Sequence, residues 1–249
     1  MSMLTNNFDK RAKHYKKYAR IQKIAAENLV NILKDSGEKD LKRTLELGAG
    51  SGIFTDLIKS NFDYENIFCV DLACNFLKLN RESEKVQCNI LKLPFKKQSF
   101  STVLSSSVVQ WINNFDELLK EINYVGKNNF RAAFSIFLKG TFYEMDKVSK
   151  MTGFGNVLKM KESSYYLENF YKNGFVVDFF YEEKYTHFFD SVRDFLNNHK
   201  HTGATIKAKR TVNKSDYNSF IKYYESLFSL KNKIPASYNV GYFVVSKAS

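Results

Sequence analysis

The period of hydrophobic and polar positions changes along the chain, and each change marks an element. Within residues 8–33, Ile21, Ile24, Ala25, Leu29, Ile32 and Leu33 recur at helical spacing, which predicts a helix with one apolar face. Gly37 follows where a C-terminal stop is expected. At residues 44–47 the pattern becomes a short apolar run, as in a strand buried on both faces of a parallel sheet. That run passes into a turn carrying Gly48, Gly50 and Gly52, and the turn opens into an amphipathic helix. Further apolar runs predict strands over 66–70, 85–88, 99–107, 131–138, 176–185 and 238–246. Helices are expected over 72–80, 116–125 and 164–173, the last stopped by Gly174. Strands alternating with helices predict an α/β sheet.

The glycine turn carries the first chemical signal. Glycine tolerates a positive φ and has no Cβ, so a ligand can lie flat against this backbone and meet the helix N-terminus. A dinucleotide fold spaces its glycines G-x-G-x-x-G. Here the third glycine comes one residue early, and Ile53 takes the place that motif reserves for glycine. Glu46 stands just before the turn, where a carboxylate repels a pyrophosphate and suits an ammonium group. The E-x-G-x-G-x-G pattern resembles motif I of the class I S-adenosylmethionine (SAM) methyltransferases. Asp71 ends the next strand and is positioned to accept both ribose hydroxyls of such a ligand.

The resemblance continues along the chain. In that family an Asp followed by Leu-Pro-Phe accepts from the adenine amino group. Asn89 stands in the Asp position here, before Ile90 and the Leu93, Pro94, Phe95 run, and its amide oxygen still accepts. Residues 99–111 resemble the family's S-F-D-x-V-x-S-N-x-A-x-Q-W, with Ser101 for Asp and Ser106 for Asn. Ser105 and Ser106 are candidates to line the methyl-donor channel, at the switch point of a doubly wound sheet. Trp111, the only Trp, is either a wall beside the acceptor or part of the core.

A narrower set of features resembles the malonyl-acyl-carrier-protein O-methyltransferases of biotin synthesis, the BioC family. Phe8, Ala12 and Tyr15 form an F-x-x-x-A-x-x-Y pattern, with Gln22 seven residues later. In the resemblance Tyr15 and Gln22 belong to an N-terminal lid over the SAM site; the alternative is a plain docking helix. Lys10 replaces the family's usual Arg. Gly140 and Thr141 resemble a G-T-x-x-E-L stretch, in which Thr141 is a candidate cap for the following helix. Thr202, Gly203 and Ala204 resemble L-K-x-T-G-A. Lys207, Lys209, Arg210 and Lys214 make this segment basic, either as a solvated loop or as a dock for an acidic carrier.

The fold implied is a doubly wound, mostly parallel seven-stranded sheet within a single methyltransferase domain. An N-terminal helical lid spans 1–36 and a SAM-binding core spans 37–138. A substrate-side half spans 139–249, with a helical insertion at about 188–230 before a reversed last strand.

Composition changes the picture in one respect. Lys and Arg number 38 against 26 Asp and Glu, a net charge of +12, which suits an acidic partner or a lysine-coated soluble surface. Cys69, Cys74 and Cys88 form neither a disulfide framework nor a metal spacing. No signal peptide and no membrane span are expected, so the reading is a cytoplasmic monomer without metal, membrane or nucleic-acid partner.

The reaction implied is methyl transfer from SAM to the carboxylate of a malonyl thioester on acyl-carrier protein. That acceptor is ionised at neutral pH and needs no general base. A cation should hold it, and Lys10, Arg11 and His14 on the lid are the candidates, with Tyr15 beside them. Trp111, Ser106 and the Lys207, Lys209, Arg210 group are the substrate-side candidates. The alternatives are carboxyl methylation of a small acid such as trans-aconitate, and a SAM-binding protein without this activity.

Overall fold

The computed structural model describes Ala12 and residues 15–82, 84–202 and 213–248. Its centre is one seven-stranded sheet: β1 Arg43–Leu47, β2 Asn66–Asp71, β3 Lys85–Gln87, β4 Phe100–Ser106, β5 Gly126–Phe137, β6 Phe175–Phe189 and β7 Ile234–Lys247. The strand order is β3-β2-β1-β4-β5-β7-β6. β1 to β5 run parallel, and β7 runs antiparallel to both its neighbours. The reversal of order beside β1 creates the switch point at which ligands of such sheets bind.

Alternation along the strands feeds two cores. Ala132, Phe134 and Ile136 of β5 join one, while Ala133 and Phe137 join the other. Helices cover both faces. α1 Arg20–Asp35, α2 Ile53–Asn61, α5 Tyr143–Thr152, α7 Val192–His201 and α8 Lys214–Phe228 pack on one. α4 Phe115–Val125 and α6 Ser163–Lys172 pack on the other, and the short α3 Cys74–Leu77 follows β2. α1 buries Ile21, Ala25, Leu29 and Leu33, the apolar stripe of the sequence. Its helix begins at Arg20, because the backbone leaves the helical conformation at Ala19 (φ −84°, ψ 42°) after a helical turn over 15–18. No helix among the described residues is long and apolar enough to cross a membrane.

The last two strands are longer than their apolar runs. β6 and β7 pair from Phe175↔Lys247 to Phe189↔Ile234, so the hairpin reaches into the stretch expected to be insertion. Between them lie α7 and α8, and α8 opens with a capping box on Asn213 and Asp216. Thr141 corrects the expectation of a helix cap. Phe142, at φ 58°, is the residue that starts α5, without a side-chain cap. The Thr141 hydroxyl instead donates to the Asn239 carbonyl (3.1 Å) and accepts from the Asn239 N–H (3.0 Å), which fastens this turn to β7.

Candidate active site

The glycine turn between β1 and α2 forms one wall of a cavity of about 280 Å³ at the switch point, near the lower end of the range for small-molecule pockets. Tyr15, Gln22, Glu46, Gly48, Ala49, Gly50, Asp71, Leu72, Asn89, Ile90, Ser106 and Trp111 all line it. Two further sequence candidates stand elsewhere. Gly52, at φ 84°, starts α2 and faces Asn80, which an added Cβ would approach to 3.1 Å. Ser105 is fully buried and donates to the Leu47 carbonyl (3.0 Å), tying β4 to β1, not lining the channel. Lys10, Arg11, His14, Lys207, Lys209 and Arg210 lie outside the described residues.

Four of the turn's amides already have protein acceptors. The N–H groups of Gly48 and Ala49 both donate to the Val70 carbonyl (2.8 and 3.0 Å). The Gly50 N–H donates to Asp71 Oδ2 (2.9 Å), and the Gly52 N–H to the Ala49 carbonyl (3.0 Å). These four donors are therefore committed to protein acceptors, three of them to Val70 and Asp71 of the neighbouring β2. What the turn offers a ligand is room: Gly50 sits at φ 53°, against Phe76 and the Asp71 carboxylate.

Asp71 is the hinge of this geometry. Its Oδ2 holds Gly50 and its Oδ1 accepts from the Ala73 N–H (2.8 Å). Glu46 is 2% exposed. Its Oε2 accepts from the Thr55 hydroxyl (2.5 Å), which in turn accepts from Asn80 Nδ2 (2.9 Å). Burial is the main force on this carboxyl and pushes its pKa up to about 8, against the lowering effect of the Thr55 and Cys69 contacts. Asn89 is exposed, and its Oδ1 accepts from the Leu91 N–H (3.0 Å).

The lining also tests which group fits. Among its described lining residues Glu46 and Asp71 are the only carboxylates, and there is no Lys, Arg or His. Ser51 Oγ is buried in this wall without a partner among those residues. Two acids, an orphaned hydroxyl and spent amides suit a ligand bearing positive charge and hydroxyl groups, as SAM does, and disfavour a pyrophosphate.

Tyr15 packs edge-on to Phe76, with ring centroids 4.8 Å apart. Burial first, and Asp71 second, raise its pKa, so its hydroxyl stays protonated. Tyr15, Gln22, Ser107 and Trp111 also line a second, smaller cavity of about 50 Å³. Gln110, Phe137, Thr141, Phe142, Leu158, Met160, His199, Thr202 and Tyr238 are its other described lining residues. The sequence did not single out Ser107, Gln110, His199 or Tyr238 as site residues. For His199 a signal existed: it continues the helical stripe of Val192 and Phe195, where an apolar residue is the rule.

Comparison with known proteins extends this picture. Residues 45–134 match a family model described as a methyltransferase domain. Over 248 residues the chain is 29% identical to a malonyl-[acyl-carrier protein] O-methyltransferase of Calditerrivibrio nitroreducens, covering 98% of this chain and 97% of that protein. A protein of the same name from Bacillus cereus is 24% identical, covering 99% of this chain and 97% of its own length. Among solved structures, the YcgJ protein of Bacillus subtilis superposes with a TM-score of 0.61 at 12% identity, covering 89% of this chain and 99% of that one. A geranyl diphosphate C-methyltransferase of Streptomyces coelicolor, solved with S-adenosyl-L-homocysteine, gives 0.53 at 13% identity, covering 88% of this chain and 75% of that one. The strand order with its reversed last strand, the family model over residues 45–134 and the relatives matched along nearly the whole chain agree: the chain carries a methyltransferase domain on a seven-stranded, mostly parallel sheet.

Proposed function

We propose that the protein methylates the free carboxylate of a malonyl thioester on acyl-carrier protein, as an early step of biotin synthesis. The observation that carries this reading is similarity along nearly the whole chain to relatives of that name. Similarity confined to the donor-binding half would support only a methyltransferase of open substrate.

In this reading the larger cavity holds SAM, which supplies an electrophilic sulfonium methyl. Glu46 serves the ammonium group, Asp71 the ribose hydroxyls, and Asn89 and Ile90 the adenine. Tyr15 and Gln22, which line both cavities, stand between donor and acceptor and help exclude water. No general base is needed, since the acceptor oxygen is already ionised. The protein's contribution is alignment and a dry site.

Glu46 makes cofactor affinity depend on pH. Its pKa in this structure is about 8, so the carboxyl is mostly protonated at pH 6–7. An ammonium partner favours the ionised form, and binding must then release a proton. By linkage, SAM affinity should rise with pH below 8 by up to about tenfold per unit. Calorimetry at pH 6, 7 and 7.5 checks this, and in Glu46→Gln the slope should vanish along with much of the affinity. A flat profile in the wild-type protein removes Glu46 from this role.

The acceptor is tested by offering SAM with malonyl-carrier protein, malonyl-CoA, trans-aconitate and RNA in parallel. Methyl ester should form on the malonyl thioesters, fastest on the carrier. The +12 charge suits an acidic carrier, and electrostatic docking acts mainly on association and is screened by salt. Thus kcat/KM for the carrier substrate should fall steeply with salt. Reversing charge at Lys207, Lys209 and Arg210 should harm that reaction and largely spare malonyl-CoA. Methylation of trans-aconitate alone would replace this reading with the small-acid one.

A further inference from the structure

Three buried polar atoms on the wall of the second cavity have no hydrogen-bond partner among the described residues: Ser107 Oγ, Gln110 Oε1 and His199 Nδ1. Buried polar groups are normally satisfied, and each exception costs stability. Here the three residues that carry these atoms all line one cavity of about 50 Å³.

The surrounding structure holds them in place. His199 is 6% exposed and continues the core-facing stripe of α7 with Val192 and Phe195. Phe142 packs edge-on to its ring, with centroids 4.8 Å apart. A leucine would fill this position more comfortably. Gln110 Nε2 donates to the Ser107 carbonyl (2.6 Å), and Ser107 is held at φ 61°, a left-handed conformation that non-glycine residues seldom adopt. Local strain and unmet polar atoms at one place point to a site, not to packing.

We propose that this second cavity receives the carboxylate end of the acceptor, and that His199 and the Ser107 hydroxyl hold it. The assignment rests on the carboxyl-methylating reading above. A carboxylate cannot be buried without donors and a countercharge. The described wall of this cavity contains no Lys or Arg, and His199 is its only side chain that can become a cation. Burial pulls the His199 pKa down to about 4, so the imidazole is neutral near pH 7 in this structure. An arriving carboxylate reverses that balance, and the ring takes up one proton from solvent as it pairs. Once the uncharged ester forms, the ring gives the proton back, so no net proton enters the reaction.

The other ionisable groups nearby agree with this sign. Tyr15 and Tyr238 line the same cavity as His199, and Tyr18, Arg20 and His187 line an adjoining cleft that His199 also lines. Burial and then Glu144 raise the Tyr238 pKa, so that hydroxyl stays a donor. Neither the cavity nor the cleft has a described Asp or Glu on its wall. The volume sets the length of the acceptor's end. About 50 Å³ is room for roughly three to five water-sized groups, which suits a carboxymethyl end.

The test uses the full chain loaded with S-adenosyl-L-homocysteine and two small probes, the malonyl and acetyl thioesters of N-acetylcysteamine. Calorimetry near pH 7, in two buffers of different ionisation enthalpy, gives affinity and protons taken up. The wild-type protein should bind the malonyl probe at least tenfold more tightly than the acetyl one, with close to one proton gained. His199→Leu should lose both the preference and the proton, and should keep its affinity for S-adenosyl-L-homocysteine. Its melting temperature should hold or rise, since an unpaired buried imidazole has been replaced by a packed side chain. His199→Gln should recover part of the preference without the proton, and it carries the test if the leucine variant does not fold. A folded leucine or glutamine variant that keeps the full preference and the proton overturns the assignment. If malonyl-carrier protein is methylated while the His199 variants act as wild type, the cavity assignment alone fails. If the probes show the His199-dependent preference but neither malonyl-carrier protein nor malonyl-CoA is methylated, the substrate reading alone fails.

Discussion

Gly50→Val should abolish measurable SAM binding while the protein still melts cooperatively. Gly50 holds φ 53°, and an added Cβ would come within 3.1 Å of Phe76 and 3.8 Å of the Asp71 carboxylate. A β-branched residue is strained there whatever the space, by about 1–3 kcal/mol. For a chain of this size that strain lowers the melting temperature by roughly 2–4 °C per kcal/mol, a loss the fold survives. The cofactor has no such margin, because valine's methyl groups would point into the wall that backbone must offer bare. Calorimetric titration with SAM decides the matter, and Gly50→Ala should fall between the two. A folded Gly50→Val protein that binds SAM normally would place the donor site elsewhere.

Asp71→Ala should weaken SAM by tenfold or more, through two routes that reinforce each other. Its carboxylate is proposed to accept the ribose hydroxyls, and a hydrogen bond to a charged group contributes about 1.5–3 kcal/mol. One decade of affinity is 1.4 kcal/mol. The same carboxylate also anchors the Gly50 and Ala73 amides, so the variant loosens the turn as well as the ligand. Asp71→Asn separates the two routes. It keeps one acceptor oxygen and its size, and should lose part of the affinity with a smaller drop in melting temperature. Unchanged affinity in a folded Asp71→Ala protein would rule the ribose role out.

The cavity proposed for the methyl donor was legible in the sequence because it is built from local pattern. A short apolar strand, alternating glycines and an acid at the next strand end lie within residues 44–71, and the structure brings Glu46, Gly50 and Asp71 to one cavity. What the glycine spacing could not convey is where the turn's hydrogen bonds go. The Val70 carbonyl and the Asp71 side chain take them, and both come from a neighbouring strand. Ser105 and Ser106 cannot both line one channel, because a strand's period of two turns neighbouring side chains to opposite faces. Both close the same strand, but only Ser106 faces the cavity, and Ser105 bonds back to β1.

The second cavity was far less legible, since contacts distant in sequence make it. The hairpin of β6 and β7 outruns its apolar cores because pairing across Phe189↔Ile234 extends the strands through polar residues. Thr141 looked like a cap from its neighbours, yet Asn239, nearly a hundred residues later, claims its hydroxyl. His199 sits on a stripe that reads as core, and only the closeness of Ser107 and Gln110 gives it a chemical meaning.

The two cavities divide the chain in a way that matters to anyone wishing to redirect the enzyme. The described walls of the larger one come from residues 15–112, while most of the smaller one comes from residues 137–238. Tyr15, Gln22, Ser107 and Trp111 belong to both. A new acceptor preference could therefore be grafted by exchanging the second stretch alone, and these four side chains are the seam at which donor and recipient sequences would have to be matched.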